Sequence, residues 1–272
     1  AKAKVVLVEK HRMGGDCLYT GCVPSKSIIR SGRIMSYIRR AADYGIVDAA
    51  GKVDFAAVMQ RVQGVIETIE PHDSPERFTS LGVECVSGTA RLISPYEVEV
   101  DGKIITTESI VIASGARPFV PPVPGLADID YLTSDNVWSL TELPPRLLVV
   151  GGGPIGCELA QAFSHLGSKV TQVDMATRIM PREDEDVSDA VSARCIEQGI
   201  DLLTGHKLLK FETVDGEHFM EAEHEGSTVR VAFDKVLLAI GRKANTEDFG
   251  LEEIGVALTP QGTIEVNEYL QT

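Results

Sequence analysis

Residues 145–174 constrain the possible fold of this chain more than any other stretch of its sequence. An apolar run leads into a turn spaced Gly-x-Gly-x-x-Gly, a helical pattern follows, and a second β-rich run ends at Asp174. The turn comprises Gly151, Gly153, Pro154, Ile155 and Gly156. A strand, glycine turn, helix, strand and acid in this order predict a parallel β-α-β unit that binds a dinucleotide at the turn.

The residues around the turn bear on which nucleotide it binds. The glycines let a pyrophosphate approach the backbone, and the N-terminus of the following helix carries partial positive charge. Asp174 can hydrogen-bond a free ribose 2′-hydroxyl but repels a 2′-phosphate, so it favours NAD. Arg178 lies close in sequence and is the type of residue that accommodates a 2′-phosphate, so NADP remains an alternative.

A second stretch, GGDCLYTGCVPSK at residues 14–26, sets Cys17 and Cys22 five positions apart. Gly21 frees the backbone just before Cys22, and Pro24 suits the first turn of a helix, so we expect Cys22 at a helix N-terminus. Unpaired N–H groups and the helix dipole stabilise a thiolate there, which predicts a redox-active thiol.

The cysteine pair has two other interpretations, half of a zinc site and a purely structural disulfide. Zinc would need a second ligand pair, but no histidine pair has ligand spacing and the other cysteines are scattered, so we expect no metal site. Nothing indicates a secreted, disulfide-dense domain. A disulfide would need a distorted turn, because five positions along a regular helix exceed the roughly 7 Å that a bridge tolerates. We expect the remaining cysteines to be buried as small apolar residues; they are Cys85, Cys157 and Cys195.

The charge of the chain excludes some partners. A net charge of −14 and a pI near 4.9 disfavour nucleic acid and anionic membranes, since phosphate binding needs basic patches. The apolar runs are too short to cross a bilayer, and no secretory signal opens the sequence. We therefore expect a cytoplasmic protein.

The first residues indicate a strand of a second nucleotide-binding unit. Residues 4–9, KVVLVE, form a β-branched run, which predicts a buried parallel strand whose terminal acid, Glu9, binds a ribose hydroxyl. The matching glycine turn belongs about 20 residues earlier, so we expect the chain to begin inside a Rossmann unit. An ordinary strand-end acid of an unrelated fold is the alternative.

The middle of the chain alternates helical and β-rich patterns. Residues 25–44 and 54–70 carry helical spacing, the second without a convincing cap at Asp54. Three β-rich runs between residues 83 and 115 predict an antiparallel excursion with a turn at Asp101. The Pro-rich stretch PFVPPVPG then predicts a domain boundary. Four short β-rich runs follow over 201–241, and their acidic stretch, 217–225, is expected to be a solvated hairpin edge.

At residues 14–26 the chain resembles the flavin-dependent pyridine nucleotide-disulfide oxidoreductases, which include dihydrolipoamide dehydrogenase, glutathione reductase and mercuric reductase. The usual family run is GGTCxNxGCxPSK. This chain has Asp16 for the threonine, and Tyr19 and Thr20 in place of the asparagine and the apolar residue after it. The variant is most similar to the mercuric-reductase-like bacterial branch. SIVIASGARP, residues 109–118, resembles the family's ATG segment, a strand whose last glycine approaches the cofactor.

The resemblance implies an α/β fold with two Rossmann-like, three-layer dinucleotide-binding domains and antiparallel β excursions. An FAD-binding domain is expected at 1–120, lacking its first strand and glycine turn. An NAD(P)-binding domain is expected at 121–243, and a return segment of the FAD domain at 244–272. The family's C-terminal dimerisation domain is absent from the sequence, and the full-length protein is expected to be a homodimer.

The resemblance also implies cofactors and site residues. FAD is expected together with NAD, or alternatively NADP. Cys22 is expected to face the flavin, Cys17 to exchange with substrate, and Lys26 to pair with Glu158 beside the flavin ring. The residues implied at the cofactors, besides the glycine turn and Asp174, are Glu9, Gly14, Gly15, Lys26, Ser114, Gly115, Gly241 and Arg242.

The implied reaction passes a hydride from NAD(P)H to the flavin, and electrons from the flavin to a Cys17–Cys22 disulfide. The dithiol then reduces a small-molecule disulfide, or Hg(II), for which two thiolates are suitable soft ligands. Such an enzyme contributes to cell redox homeostasis. The alternative is a non-catalytic NAD-binding fragment that carries an uncoupled redox disulfide.

Overall fold

The computed structural model describes residues 3–272, and its secondary structure is mixed α/β. Its α-helices are α1 (Gly15–Tyr19), α2 (Cys22–Arg39), α3 (Phe55–Ile69), α4 (Pro75–Ser80), α5 (Pro154–Leu166) and α6 (Glu185–Glu197). Its strands are β1 (Val5–Glu9), β2 (Val83–Ser87), β3 (Ala90–Ser94), β4 (Glu97–Val100), β5 (Lys103–Thr106), β6 (Ala116–Pro118), β7 (Arg146–Val150), β8 (Lys169–Val173), β9 (Asp201–Leu203), β10 (Lys207–Val214), β11 (Glu217–His224), β12 (Ser227–Phe233), β13 (Lys235–Leu238) and β14 (Arg242–Ala244). No helix among these described residues is long and apolar enough to cross a membrane.

The chain divides into two compact units. The first comprises Ala1–Tyr19, as far as it is described, with Glu67–Arg117 and Arg242–Thr272; the second comprises Thr20–Ile66 and Pro118–Gly241. The chain passes between them at 19/20, 66/67, 117/118 and 241/242. The last two positions lie a few residues from the boundaries expected at 120/121 and 243/244. Residues 20–66, expected in the FAD-binding domain, group with the second unit because α2 packs along α5.

A four-stranded parallel sheet forms the centre of the second unit, in the order β13-β7-β8-β9. Two of its strands, β7 and β13, are apolar after their first residue, as expected for strands that are covered on both faces. On one face lies α5, whose Leu159, Phe163 and Leu166 are buried as the helical pattern predicts. On the other face an antiparallel meander, β10-β11-β12, buries Phe211 and Met220 against the strands. The predicted β-α-β unit is therefore confirmed as β7, α5 and β8.

The charge of residues 217–225 predicted a hairpin edge. This prediction is wrong, because the stretch does not lie at the edge of the meander. It forms β11, the middle strand, which is paired on both sides. Its side chains alternate, so Met220 and Ala222 are buried while Glu221 faces Lys210 on the neighbouring strand. The number of acidic residues does not show that buried and solvent-facing side chains alternate along this strand, and it is this alternation that allows the strand to lie in the middle of the sheet.

The first unit contains a parallel pair, β1-β2, and an antiparallel sheet, β3-β4-β5. The expected turn between β4 and β5 is present, with Asp101 at φ 49°. The prediction of a strand over residues 109–118 is wrong for residues 109–115. Only the last three residues, Ala116–Pro118, form a strand, β6. Ser114 and Gly115 instead bond Asn245, and Val111 is 89% exposed, because no strand among the described residues forms a ladder with this segment.

The two long helices after the cysteines lie where the sequence predicts them. One detail differs, because Asp54 does cap α3. Its Oδ1 accepts a hydrogen bond of 3.0 Å from the backbone N–H of Ala57. An aspartate that binds an N–H of the first turn in this way stabilises a helix start.

Candidate functional site

The glycine turn between β7 and α5 admits no larger residue at two positions. Gly151 has φ 122°, and a Cβ there would lie 2.3 Å from the Ala239 carbonyl oxygen. A Cβ on Gly156 would lie 2.2 Å from the Gly151 oxygen. No side chain caps α5, whose N-cap is Gly153 and whose first residue, Pro154, has no N–H. This backbone fits a dinucleotide pyrophosphate, which needs close approach and uncapped N–H groups.

Asp174 borders the turn directly after β8. Its half-buried carboxylate accepts hydrogen bonds from the backbone N–H groups of Gly152 and Ala176, the latter at 2.7 Å. The carboxylate is thereby fixed beside the turn, where a ribose of a bound dinucleotide is expected. The Arg178 guanidinium is directed at backbone carbonyls of its own loop, and donates to the Glu183 oxygen at 3.2 Å.

Cys22 is exposed and is the first residue of α2, which confirms the predicted position at a helix N-terminus. Pro24 lies buried in the first turn of that helix, also as predicted. Gly21 is the N-cap and offers no side-chain hydrogen bond, so the N–H groups of the first turn remain uncapped by side chains. An uncapped helix start favours an anionic sulfur.

Cys17 is exposed on α1, a single helical turn whose Leu18 is buried. It belongs to the first unit and Cys22 to the second, because the boundary falls between Tyr19 and Thr20. The Cys17–Cys22 bridge stays a prediction.

A side chain from a distant part of the sequence, Glu70, holds the far end of α1. The Tyr19 hydroxyl donates to the Glu70 carboxylate at 2.7 Å, and Arg12 pairs with the same oxygen at 2.8 Å. The Arg12 guanidinium also stacks on the Tyr19 ring, 3.8 Å from its centroid. The hydrogen bonds from Tyr19 and Arg12 lower the pKa of Glu70, whereas burial and the bond to Glu70 raise the pKa of Tyr19.

The residues expected at the flavin lie on turns and strand ends. Glu9 ends β1, and its carboxylate accepts a hydrogen bond of 2.8 Å from the His11 N–H. Gly15 and Gly115 have left-handed φ angles, and a Cβ would meet nothing closer than 4.0 Å at either. Such open backbone fits a ligand that approaches closely.

Arg242 has protein partners of its own. Its guanidinium donates to the Asp16 carboxylate and to the Ala116 carbonyl. Asp16 is the residue immediately before Cys17 and stands where the family has threonine. The remaining predicted residues are exposed or half-buried: Gly14 precedes α1, Ser114 bonds the Asn245 carbonyl, and Gly241 follows β13 with φ 135°.

Lys26 and Glu158 are both exposed, on α2 and α5 of the second unit. Within residues 3–272 they do not form an ion pair with each other, so their pairing beside a flavin stays a prediction. The other cysteines partly follow expectation. Cys157 and Cys195 are buried, and burial raises the pKa of Cys195 to about 11, whereas Cys85 is only half-buried.

Sequence reasoning missed Gln172, an amide within the buried strand β8. Its side chain is 1% exposed and bonds the Gly151 carbonyl behind the turn. The signal in the sequence was a polar residue two positions after Val170 in the β-rich run KVTQV, and therefore on the same face of the strand as that valine. A buried polar residue there predicts a side chain with a specific partner.

The chain matches known proteins along its whole length. A model of the family described as pyridine nucleotide-disulphide oxidoreductase matches residues 1–272. The mercuric reductase of Staphylococcus aureus is 36% identical over 270 residues, which are 99% of this chain and 49% of that protein. A dihydrolipoyl dehydrogenase of Bacillus subtilis (strain 168) is 33% identical over 285 residues, 99% of this chain and 60% of that protein.

A solved structure is similar as well. The Cu(II) complex of the HOCl-induced flavoprotein disulfide reductase RclA from Escherichia coli superposes with a TM-score of 0.83 at 27% identity. The match covers 100% of this chain and 58% of that one. The chain thus spans about half the length of the curated relatives it matches.

Proposed function

The chain belongs to the pyridine nucleotide-disulphide oxidoreductase family, and from this premise we propose that it provides the nicotinamide site and the redox-active thiols of a flavin-dependent oxidoreductase. The observation that supports this proposal best is an exposed Cys22 at an uncapped helix start, in a chain that also has a complete dinucleotide turn. Cys17 is the second thiol of the pair. We propose NAD as the preferred nucleotide, since Asp174 rather than Arg178 borders the turn.

The residues of this chain divide the work between binding and electron acceptance. The glycine turn and Asp174 bind and orient the nicotinamide dinucleotide. Glu9, Gly15 and Gly115 are among those that would hold FAD, which when bound accepts a hydride and supplies two electrons to a disulfide. Cys17 and Cys22 then carry those electrons as a dithiol, and attack of a thiolate delivers them to the substrate.

Two substrate classes fit a pair of exposed thiols. A disulfide is reduced by thiol exchange, and a thiophilic metal ion is held by two soft sulfur ligands. The names of the relatives point to both, because they include mercuric reductases and dihydrolipoyl dehydrogenases. We propose Hg(II) as the first substrate to test, since mercuric reductase of S. aureus has the higher identity of these two relatives. A homodimer in the cytoplasm is part of the same proposal.

The test measures NADH oxidation by the flavin-containing protein with either Hg(II) or lipoamide as acceptor. Cys17→Ser and Cys22→Ser are each expected to lower turnover by at least roughly a thousandfold, as loss of a nucleophile does. Cys85→Ser is the matched control, because Cys85 lies on β2 and is expected to leave turnover unchanged. Turnover with lipoamide and not with Hg(II) would contradict the proposal of Hg(II) as substrate and favour a disulfide substrate.

The same preparation tests the competing proposal of a nucleotide-binding module without flavin. That module predicts a colourless protein that binds NADH and oxidises it with neither acceptor. In a yellow protein, the reduced Cys22→Ser variant should lack the long-wavelength absorbance of a thiolate beside flavin, while Cys17→Ser should keep it. The reverse pattern would exchange the two cysteine assignments.

A further inference from the structure

Gln172 is a polar side chain that is almost completely buried. It lies on β8 and is 1% exposed, between the strands β7 and β9. Strands buried on both faces usually carry only apolar side chains. Burying an amide there costs stability unless its donors and acceptors find partners.

The Gln172 donor reaches the glycine turn from behind. Its Nε2 donates to the Gly151 carbonyl oxygen at 2.8 Å and lies 3.5 Å from the Cys157 sulfur. The Cys157 thiol in turn donates to the Gly152 carbonyl at 3.5 Å. Two side chains therefore bind two successive carbonyls of the turn.

These contacts fix the direction of two peptide groups. In a trans peptide the C=O and the following N–H point in opposite directions. The peptide that joins Gly151 to Gly152 is held at both ends, by Gln172 at its oxygen and by Asp174 at its N–H. The next peptide has its oxygen bound by the Cys157 thiol and by the Met180 N–H, at 2.6 Å. Its own N–H, on Gly153, therefore points away from the interior, and within residues 3–272 it has no acceptor.

The other end of the amide shows that this contact has an energetic cost. Its Oε1 is buried and has no hydrogen-bond partner. Reversing the amide would not help, because Oε1 would then face the Gly151 oxygen, which is also an acceptor. An apolar side chain of the same size would avoid this unsatisfied oxygen but would leave the buried Gly151 carbonyl without its donor. The amide therefore leaves one acceptor unsatisfied, its own Oε1, and in return fixes the direction of the turn carbonyl.

We propose that Gln172 and Cys157 are positioning residues for dinucleotide binding, which hold the carbonyls of the turn inward so that the Gly153 N–H faces the pyrophosphate. The inference rests on the proposed nicotinamide site and adds two residues to it, neither of which touches the ligand. It assigns a role to Cys157 beyond that of a buried small residue.

The test compares nucleotide affinity with stability in the same variants. Gln172→Met keeps the size of the side chain but removes both the donor and the unsatisfied oxygen. We expect it to weaken NADH binding by roughly tenfold, since misplaced binding groups lose this much or more. The thermal unfolding temperature should change little, because the variant removes one unsatisfied acceptor, Oε1, and creates another at the Gly151 carbonyl. Gln161→Met on α5 is the matched control and should change neither quantity, since Gln161 bonds Gln198 away from the turn.

Cys157 gives a second test that does not depend on the folding of the Gln172 variant. Cys157→Ser keeps a donor for the Gly152 carbonyl and should retain NADH affinity, whereas Cys157→Ala should weaken it. Equal affinity in wild type, Gln172→Met and Cys157→Ala would overturn the inference. So would a loss of affinity that follows a fall in unfolding temperature. A wild-type protein that binds no NADH would instead remove the proposed nicotinamide site itself.

Discussion

Asp174 has spare hydrogen-bonding capacity although two backbone N–H groups already bind it. A carboxylate has about four acceptor positions, and Gly152 and Ala176 use two. The other two can accept the hydroxyls of an adenosine ribose. Because a 2′-phosphate would bring negative charge to the same place, we expect Asp174 to select NAD in the proposed nicotinamide site.

We expect Asp174→Ala to raise the KM for NADH by roughly tenfold, as expected for the loss of hydrogen bonds to a charged group. The KM for NADPH should rise less, because the repulsion of the 2′-phosphate disappears together with the acceptor. Steady-state kinetics with both nucleotides measures the two values. Asp201→Ala, an exposed acid on β9, is the control. Equal losses with both nucleotides would show that Asp174 does not discriminate.

Single residues differ in how far their positions follow from sequence. The glycines and Cys22 were predictable because a left-handed φ angle, a close backbone approach and a helix start each demand particular residue types. Gln172 was not predictable, because its partner is a carbonyl of the glycine turn, twenty-one positions away along the chain. The sequence shows that the residue is polar but not which group it meets.

At the scale of elements, α1 shows how a short helix is held by distant residues. One turn of helix has little stability of its own. Here Glu70, the residue that follows α3, binds both Tyr19 within α1 and Arg12 before it. These contacts of Glu70 with Tyr19 and Arg12, which we call the Glu70 clamp, therefore fix the helix that carries Cys17.

The clamp should depend on the charge of Glu70. Because its pKa is lowered in the folded protein, the stabilisation is present above its unfolded value of 4.5 and is lost as the pH falls through the folded value. Glu70→Gln should therefore lower the unfolding temperature at neutral pH by a small amount, on the order of 1–2 °C. The difference from wild type should shrink in acid. Glu67→Gln, one turn earlier on an exposed face of α3, is the control; a difference that is constant with pH would contradict the clamp.

Elements were predictable where the pattern is local and long. The β7-α5-β8 unit and the helices α2 and α3 follow from periodicity over more than ten residues. The segment 109–115 was not, because a strand also needs a neighbour with which to form hydrogen bonds. Its apolar residues satisfy the pattern, yet Ser114 and Gly115 form their hydrogen bonds with the single residue Asn245 and not with a strand.

At the scale of the whole molecule, residues 20–66 group with the second unit mainly through the packing of α2 along α5, and a hydrogen bond from the Trp138 indole to the Thr20 carbonyl is a further contact. The backbones of α2 and α5 approach closely at Gly32, where a Cβ would lie 3.1 Å from the Ala162 carbonyl oxygen. Helix α3 adds two contacts. Arg61 donates to the Ser27 carbonyl of α2 at 3.1 Å, and Phe55 packs on Phe163 of α5. Helical spacing revealed the apolar face of α2 but not the helix that covers it, and so the unit boundaries could not be predicted in full.

Gly32→Ala tests this grouping against Gly64→Ala, the same change in the interior of α3. At Gly32 the added methyl must displace backbone, so we expect a loss of roughly 1–3 kcal/mol in the free energy of unfolding. At Gly64 the methyl would meet nothing within 4 Å, so we expect a gain of about 0.5–1 kcal/mol. Hydrogen exchange should show weaker protection of α2 and α5 in Gly32→Ala, with the sheet β3-β4-β5 of the first unit unchanged. Equal loss of protection in that sheet would mean that the α2–α5 contact supports both units, not the second alone.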